Sequence, residues 1–186
     1  MNTDEYCTST FAVDLDVRVA DVDERLVEGI VVPYGETTYL TPDPNGERFV
    51  RGALARTVEE RGARVKLFRA HDHDRAVGRA TDWAERPRGL WGQFRIAATP
   101  AGDDVLNEIR EGVLDAFSIG FRPIQHRRAR DGVREVLEAA LHEVSIAPMG
   151  AYDGARVLAM RTPIESLMPP MPNVNLDPIP PLRMTP

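Results

Sequence analysis

The hydroxyl most able to do chemistry in this chain is that of Ser118, in Ala116-Phe117-Ser118-Ile119-Gly120-Phe121. Side chains of a strand alternate between faces, so Phe117, Ile119 and Phe121 share an apolar face. Ala116, Ser118 and Gly120 share the other, which reads as small and open to close approach. A serine hydroxyl is a weak nucleophile at neutral pH and needs a base within hydrogen-bond reach. An imidazole suits that task, its unperturbed pKa being about 6.5. A carboxylate on the second ring nitrogen would fix the tautomer and stabilise the imidazolium. His71, in Ala70-His71-Asp72-His73-Asp74, and Glu143, in Leu141-His142-Glu143-Val144-Ser145, are side chains of these types. Most strand serines only hydrogen-bond to their surroundings, so Ser118 alone is weak evidence.

The same histidine segment has a rival chemistry. His71 and His73 form a His-x-His pair that can ligate zinc, with Asp72 and Asp74 beside it. A third ligand would have to come from His126, His142 or Cys7, none at a suggestive spacing, and Arg75 stands where metal hydrolases usually continue with Asp-His. The metal reading ranks below the acyl-transfer one. The basic run Arg127, Arg128, Arg130 reads as a solvated hairpin tip, Cys7 as a structural thiol, and Trp83 and Trp91 as core or rim residues.

The elements that must position these groups are mostly strands. Phe11, Val13, Leu15, Val17 and Val19 alternate with mostly polar residues as in a half-buried strand. Residues 26–32, 65–68, 76–80 and 90–97 read as further strands, the Ser118 segment as another. Residues 53–61 read as a short helix stopped by Gly62. Thr99-Pro100 opens a second helix, threonine as cap and proline at the first helical position, and Gly112 ends it. Residues 133–146 fit a helix by Val136, Leu137, Ala140, Leu141 and Val144, and a strand from Glu143 to Ile146; periodicity leaves both open.

Composition sets the outer bounds. The chain has 186 residues and 42% apolar content, enough for one domain with a proper core. A net charge of −6 argues against general nucleic-acid binding. One cysteine excludes an internal disulfide, as in a reducing cytosol, and the N-terminal residues lack the pattern of a signal peptide. No apolar run reaches membrane-spanning length, so no membrane partner is expected. Eight prolines fall within the last 24 residues. The expected organisation is therefore a domain over 1–162 and an extended or disordered tail over 163–186.

Several segments in order resemble the prohead (head maturation) serine proteases of tailed phages, relatives of the herpesvirus assemblins. They are Gly29-Ile30-Val31-Val32-Pro33-Tyr34-Gly35, Glu47-Arg48-Phe49 with Gly52-Ala53, Leu67 to Asp72 followed by Val77-Gly78-Arg79, Gly89-Leu90, Gly112 to Phe121, and Leu141 to Ser145. The specificity lies in the ordered set. The resemblance implies an α+β fold, a mainly antiparallel β-barrel core with flanking short helices. It makes Ser118 the nucleophile, His71 the general base and Glu143 the third member, a position assemblins fill with a histidine, which His142 could supply here. Gly120 and the segment after Ser145 are the candidate oxyanion donors. No cofactor is implied. The expected substrates are the major capsid protein with its scaffold segment and the protease itself, inside the assembling procapsid in the host cytoplasm; a homo-oligomer is an open alternative. The competing classes are a non-enzymatic capsid assembly or scaffolding protein and a metal-dependent hydrolase using His71 and His73.

Overall fold

Alternating apolar residues drive most of this chain into one nine-stranded sheet. The computed structural model describes residues 7–10, 18–21, 24–39, 41 and 43–148, and side chains from residue 24 onward. All lie within one compact unit, Met1–Ala151. The strands are β1 (Cys7–Thr10), β2 (Arg18–Asp21), β3 (Leu26–Pro33), β4 (Glu47–Phe49), β5 (Lys66–Arg69), β6 (Asp72–Arg86), β7 (Gly89–Ile96), β8 (Ala116–Arg128) and β9 (Arg134–Ala147). Two helices join them, α1 (Ala55–Arg61) and α2 (Pro100–Arg110). The alternating stretch from Phe11 falls largely outside the described residues, as does the tail from 163.

The sheet runs β1-β8-β9-β5-β6-β7-β3-β2, with β4 added to β9. This corrects the expected architecture. Among the described residues the sheet is an open path ending at β1 and β2, not a closed barrel, and it is mixed. Most pairs are antiparallel, but β4 and β5 each lie parallel to β9. Parallel pairing requires long connections, and no local signal in the sequence reports it.

The apolar face of β8 forms the centre of the core, as its alternation predicts. Phe117, Ile119 and Phe121 are fully buried. Phe117 packs on Phe94 with ring centroids 5.4 Å apart, and Phe121 meets Phe49 edge-on at 5.0 Å. Full burial of such a side chain is worth about 2–3 kcal/mol. Val105, Leu106 and Ile109 of α2 join the same core. Helix α2 starts as predicted, with Thr99 Oγ1 accepting the Gly102 amide at 3.2 Å and Pro100 in the first turn. Gly112 follows its end at φ +71°, a conformation that favours glycine.

Helix α1 ends differently from expectation. Gly62 does not turn the chain left-handed; it is helical, at φ −51°, and leads into a 3₁₀ turn over Gly62–Arg64. Its smallness is needed because a Cβ there would lie 2.9 Å from the Trp83 ring. The segment left open between helix and strand is strand β9, paired with β8 along its length.

Candidate active site

Strands β8 and β9 set two of the three predicted site residues by register alone. Ser118 pairs with Ser145, and Gly120 pairs with Glu143. Directly opposed residues share a face, so Ser118, Ser145 and Glu143 all project to the side away from the Phe117 core face. Diagonal neighbours of this kind stand roughly 7–8 Å apart. That is too far for a serine–carboxylate hydrogen bond and wide enough for an imidazole bonded at both ends.

Strand β5 delivers that imidazole. It pairs parallel with β9 (Phe68 with Ser145, Arg69 with Ile146) and then turns into β6 through Ala70 and His71. Both residues have positive φ, +51° and +59°, as a two-residue type I′ hairpin turn requires. Neither is the glycine or asparagine that such a turn prefers, so the conformation is strained and must be held by its surroundings. Strand β9 holds it at two points. The Ala70 amide donates to the Ile146 carbonyl at 3.0 Å, and the His71 amide donates to Ser145 Oγ at 3.0 Å.

The three side chains meet in a line. His71 Nε2 is 2.6 Å from Ser118 Oγ, and His71 Nδ1 is 2.5 Å from Glu143 Oε1. A carboxylate can only accept, so with Glu143 ionised the ring proton sits on Nδ1. The Nε2 lone pair is then left to accept from the Ser118 hydroxyl. This is the arrangement that makes serine a nucleophile and histidine its base.

The surroundings differ from expectation in one respect. The bare face of β8 is not open: Ser118 is 0% exposed, and Ala116 and Gly120 are buried too. Small side chains made room that the protein itself fills, His71 among the groups that enter. The rim is softer. His71 is partly exposed, and Phe68, on the face of Ser145, lies beside His73 with ring centroids 5.1 Å apart.

His142 stands apart from this line. A register shift between Gly120 and Phe121 makes it an extra residue in β9, exposed, while Glu143 is buried. Neighbouring groups partly desolvate its imidazole and, with the charges of Arg61 and Arg122, hold it below the ordinary pKa. His73 lies at the rim, 63% exposed, with Nε2 4.0 Å from Glu143 Oε2. Both ring nitrogens of His71 are taken by Ser118 and Glu143, which leaves the His-x-His pair without its first donor. Among the described residues no group of three metal-ligating side chains converges.

Two expectations are decided by strand pairing. Gly120 is matched on both sides, to Thr8 in β1 and Glu143 in β9, so its backbone belongs to the ladders. The second oxyanion candidate, the segment after Ser145, passes out of the described residues beyond Pro148. Arg127 and Arg128 are exposed at the tip end of the β8–β9 hairpin, as expected. Each lies in β8 with an acidic partner, Glu135 at 2.7 Å and Asp43 at 2.7 Å. Sequence reasoning gave no role to Ser145; its signal was the two-residue spacing from Glu143, which puts both on one face of a strand.

Comparison with known proteins agrees with this architecture. The structure of the bacteriophage T4 capsid assembly protease, gp21, superposes with a TM-score of 0.57 at 15% sequence identity, covering 78% of this chain and 98% of that one. At that identity the likeness is one of fold. A search of curated proteins gives no match. The family model described as Caudovirus prohead serine protease matches residues 13–168, and the chain belongs to that family.

Proposed function

We propose that this chain is a serine endopeptidase in which Ser118 is the nucleophile, His71 the general base and Glu143 the group that orients and charges His71. The observation carrying this reading is the unbroken line of two short hydrogen bonds from Ser118 through His71 to Glu143. Ser118 Oγ attacks a peptide carbonyl as its proton passes to His71 Nε2. The resulting imidazolium is stabilised by Glu143, which is buried beside it. His71 then protonates the departing amine, and a water molecule, deprotonated by the same nitrogen, releases the acyl group from Ser118. Because Ser118 has no exposed surface, a substrate segment enters only with local opening of the site.

Family membership supports capsid maturation as the setting. The substrates in this reading are scaffold segments of the major capsid protein and the protease's own chain, cut inside the assembling procapsid. The test is co-expression with the major capsid protein of the same phage and mass spectrometry of the fragments, with wild type and with Ser118→Ala. Defined capsid-protein fragments that vanish in a folded Ser118→Ala protein are expected. The same fragments from that variant would overturn the serine mechanism, and their loss on chelation with recovery on added zinc would favour a metal site.

A further inference from the structure

Lys66, Arg79 and Arg95 form a row of positive charge across three adjacent strands. Lys66 of β5 is directly opposite Arg79 of β6, and Arg79 is directly opposite Arg95 of β7. Opposed residues share a face, and all three side chains are exposed. Like charges directly opposite one another in a sheet are destabilising. The chain nevertheless carries this row with a net charge of −6, and Lys66 is its single lysine.

Internal carboxylates neutralise only one end. Arg95 pairs with Glu24 at 2.9 Å, both groups being about half exposed. Arg25, on the same rim, has its guanidinium spent on Asp103 at 2.7 Å and on the Ala97 carbonyl at 2.7 Å. Among the described residues Lys66 and Arg79 form no ion pair. The row borders a concavity of about 480 Å³ with small residues Ala76, Gly78, Ala97 and Ala98 in its lining. Gly78 lets β6 and β7 approach closely beside it, since a Cβ there would stand 2.6 Å from the Arg95 carbonyl oxygen.

We propose that this trough is a docking site for an acidic segment of a protein partner, separate from the peptide-cutting site. Charge complementarity selects the occupant. Lys66 and Arg79, on strands roughly 4.8 Å apart, have no internal carboxylate among the described residues and Arg95 has one, so a segment carrying several carboxylates complements the row better than a single small anion. Lys66 alternates with Phe68 on β5, so the trough opens on the same sheet face as Ser118. Lys66 precedes Leu67, which pairs with Val144, so the row begins on the strand beside Glu143 and runs away from it across β6 and β7. An acidic segment held there leaves the active site free for a neighbouring stretch of chain. The proposal does not rest on proteolysis, since it is tested by binding alone.

The experiment is fluorescence anisotropy of a labelled oligoglutamate peptide with the full chain, at low salt and at roughly 0.5 M salt, where screening shortens to a few ångströms. Wild type is expected to bind at low salt. Lys66→Glu with Arg79→Glu should weaken binding about tenfold or more, and high salt should do the same. The milder Lys66→Gln with Arg79→Gln should fall between and keeps the test valid if charge reversal disturbs folding. Arg127→Gln, at a distant basic residue, should change nothing. Absence of binding by wild type, or equal affinity in the double variants, overturns the proposal. Tighter binding of a single-stranded oligonucleotide with the same residue dependence also overturns it, in favour of nucleic acid.

Discussion

Glu143 Oε1 lies 2.5 Å from His71 Nδ1 although the two residues are 72 apart in sequence. Their meeting depends on the parallel register of β5 on β9, and it assigns the carboxylate, not its neighbour His142, to the imidazole. Glu143→Gln keeps the shape and removes the charge. It should lower kcat by about 10³–10⁴-fold, the scale known for amide replacement of a triad carboxylate. His142→Gln should alter it by no more than about twofold, as for an ordinary surface change. Steady-state cleavage of a capsid-derived peptide gives both numbers, and the reverse ranking would put His142 in the site.

The strained turn carrying His71 makes a separate prediction. Ala70 sits at φ +51°, where β-branched residues are outliers. Ala70→Val should destabilise the fold by about 1–3 kcal/mol and reduce activity in the protein that remains folded. Ala70→Gly should be neutral or slightly stabilising, because glycine adopts this conformation without strain. Thermal melts and kcat of the two variants check this. Equal melting temperatures for both would mean that the turn is not constrained.

Ser145 is predicted to act by position. Its hydroxyl accepts the His71 amide, so Ser145→Ala leaves the nucleophile and base in place while loosening the turn. Loss of one such bond costs about 1 kcal/mol. Activity should fall by roughly tenfold, through kcat more than KM, and Ser145→Thr should restore part of it. A Ser145→Ala enzyme with unaltered kcat and stability would remove Ser145 from the account.

Acid sensitivity should trace to Asp43. Burial pushes its carboxyl up, but the hydrogen bonds from Arg128 and the Asn45 amide, with the Arg128 and Arg134 charges, outweigh that and hold it below the ordinary value of 3.8. A carboxyl depressed in the folded state stabilises above its unfolded pKa, and that contribution is lost as pH falls through the folded pKa. Asp43→Asn should therefore lower the melting temperature at neutral pH, with the gap to wild type closing below about pH 4. A gap that stays constant into that range would contradict the assignment.

What the sequence made legible was local. The alternation around Ser118 identified both its strand and the core face opposite. The Thr99-Pro100 cap was readable because capping is a matter of adjacent residues. Strand β9 was not, for a physical reason. Its buried residues include Val136, Ala139, Leu141, Val144 and Ile146, and its pairing with β8 shifts register at three places. Two of these shifts, at the extra residues Leu137 and His142 of β9, turn a two-residue spacing into a three-residue one, which imitates a helix. The site itself needed the non-local pairing of β5 on β9, and spacing along the chain carries no trace of it. The same holds for openness of the sheet, which depends on whether distant edges meet.

The central claim is that Ser118 is a nucleophile activated by His71, and covalent labelling tests it most directly. The folded protein is treated with a fluorophosphonate and its mass measured before and after digestion. The account predicts a single adduct on the peptide containing Ser118, greatly slowed in His71→Ala and in Glu143→Gln. No adduct on the folded wild-type protein, an adduct on a different residue, or an undiminished labelling rate in His71→Ala would contradict it.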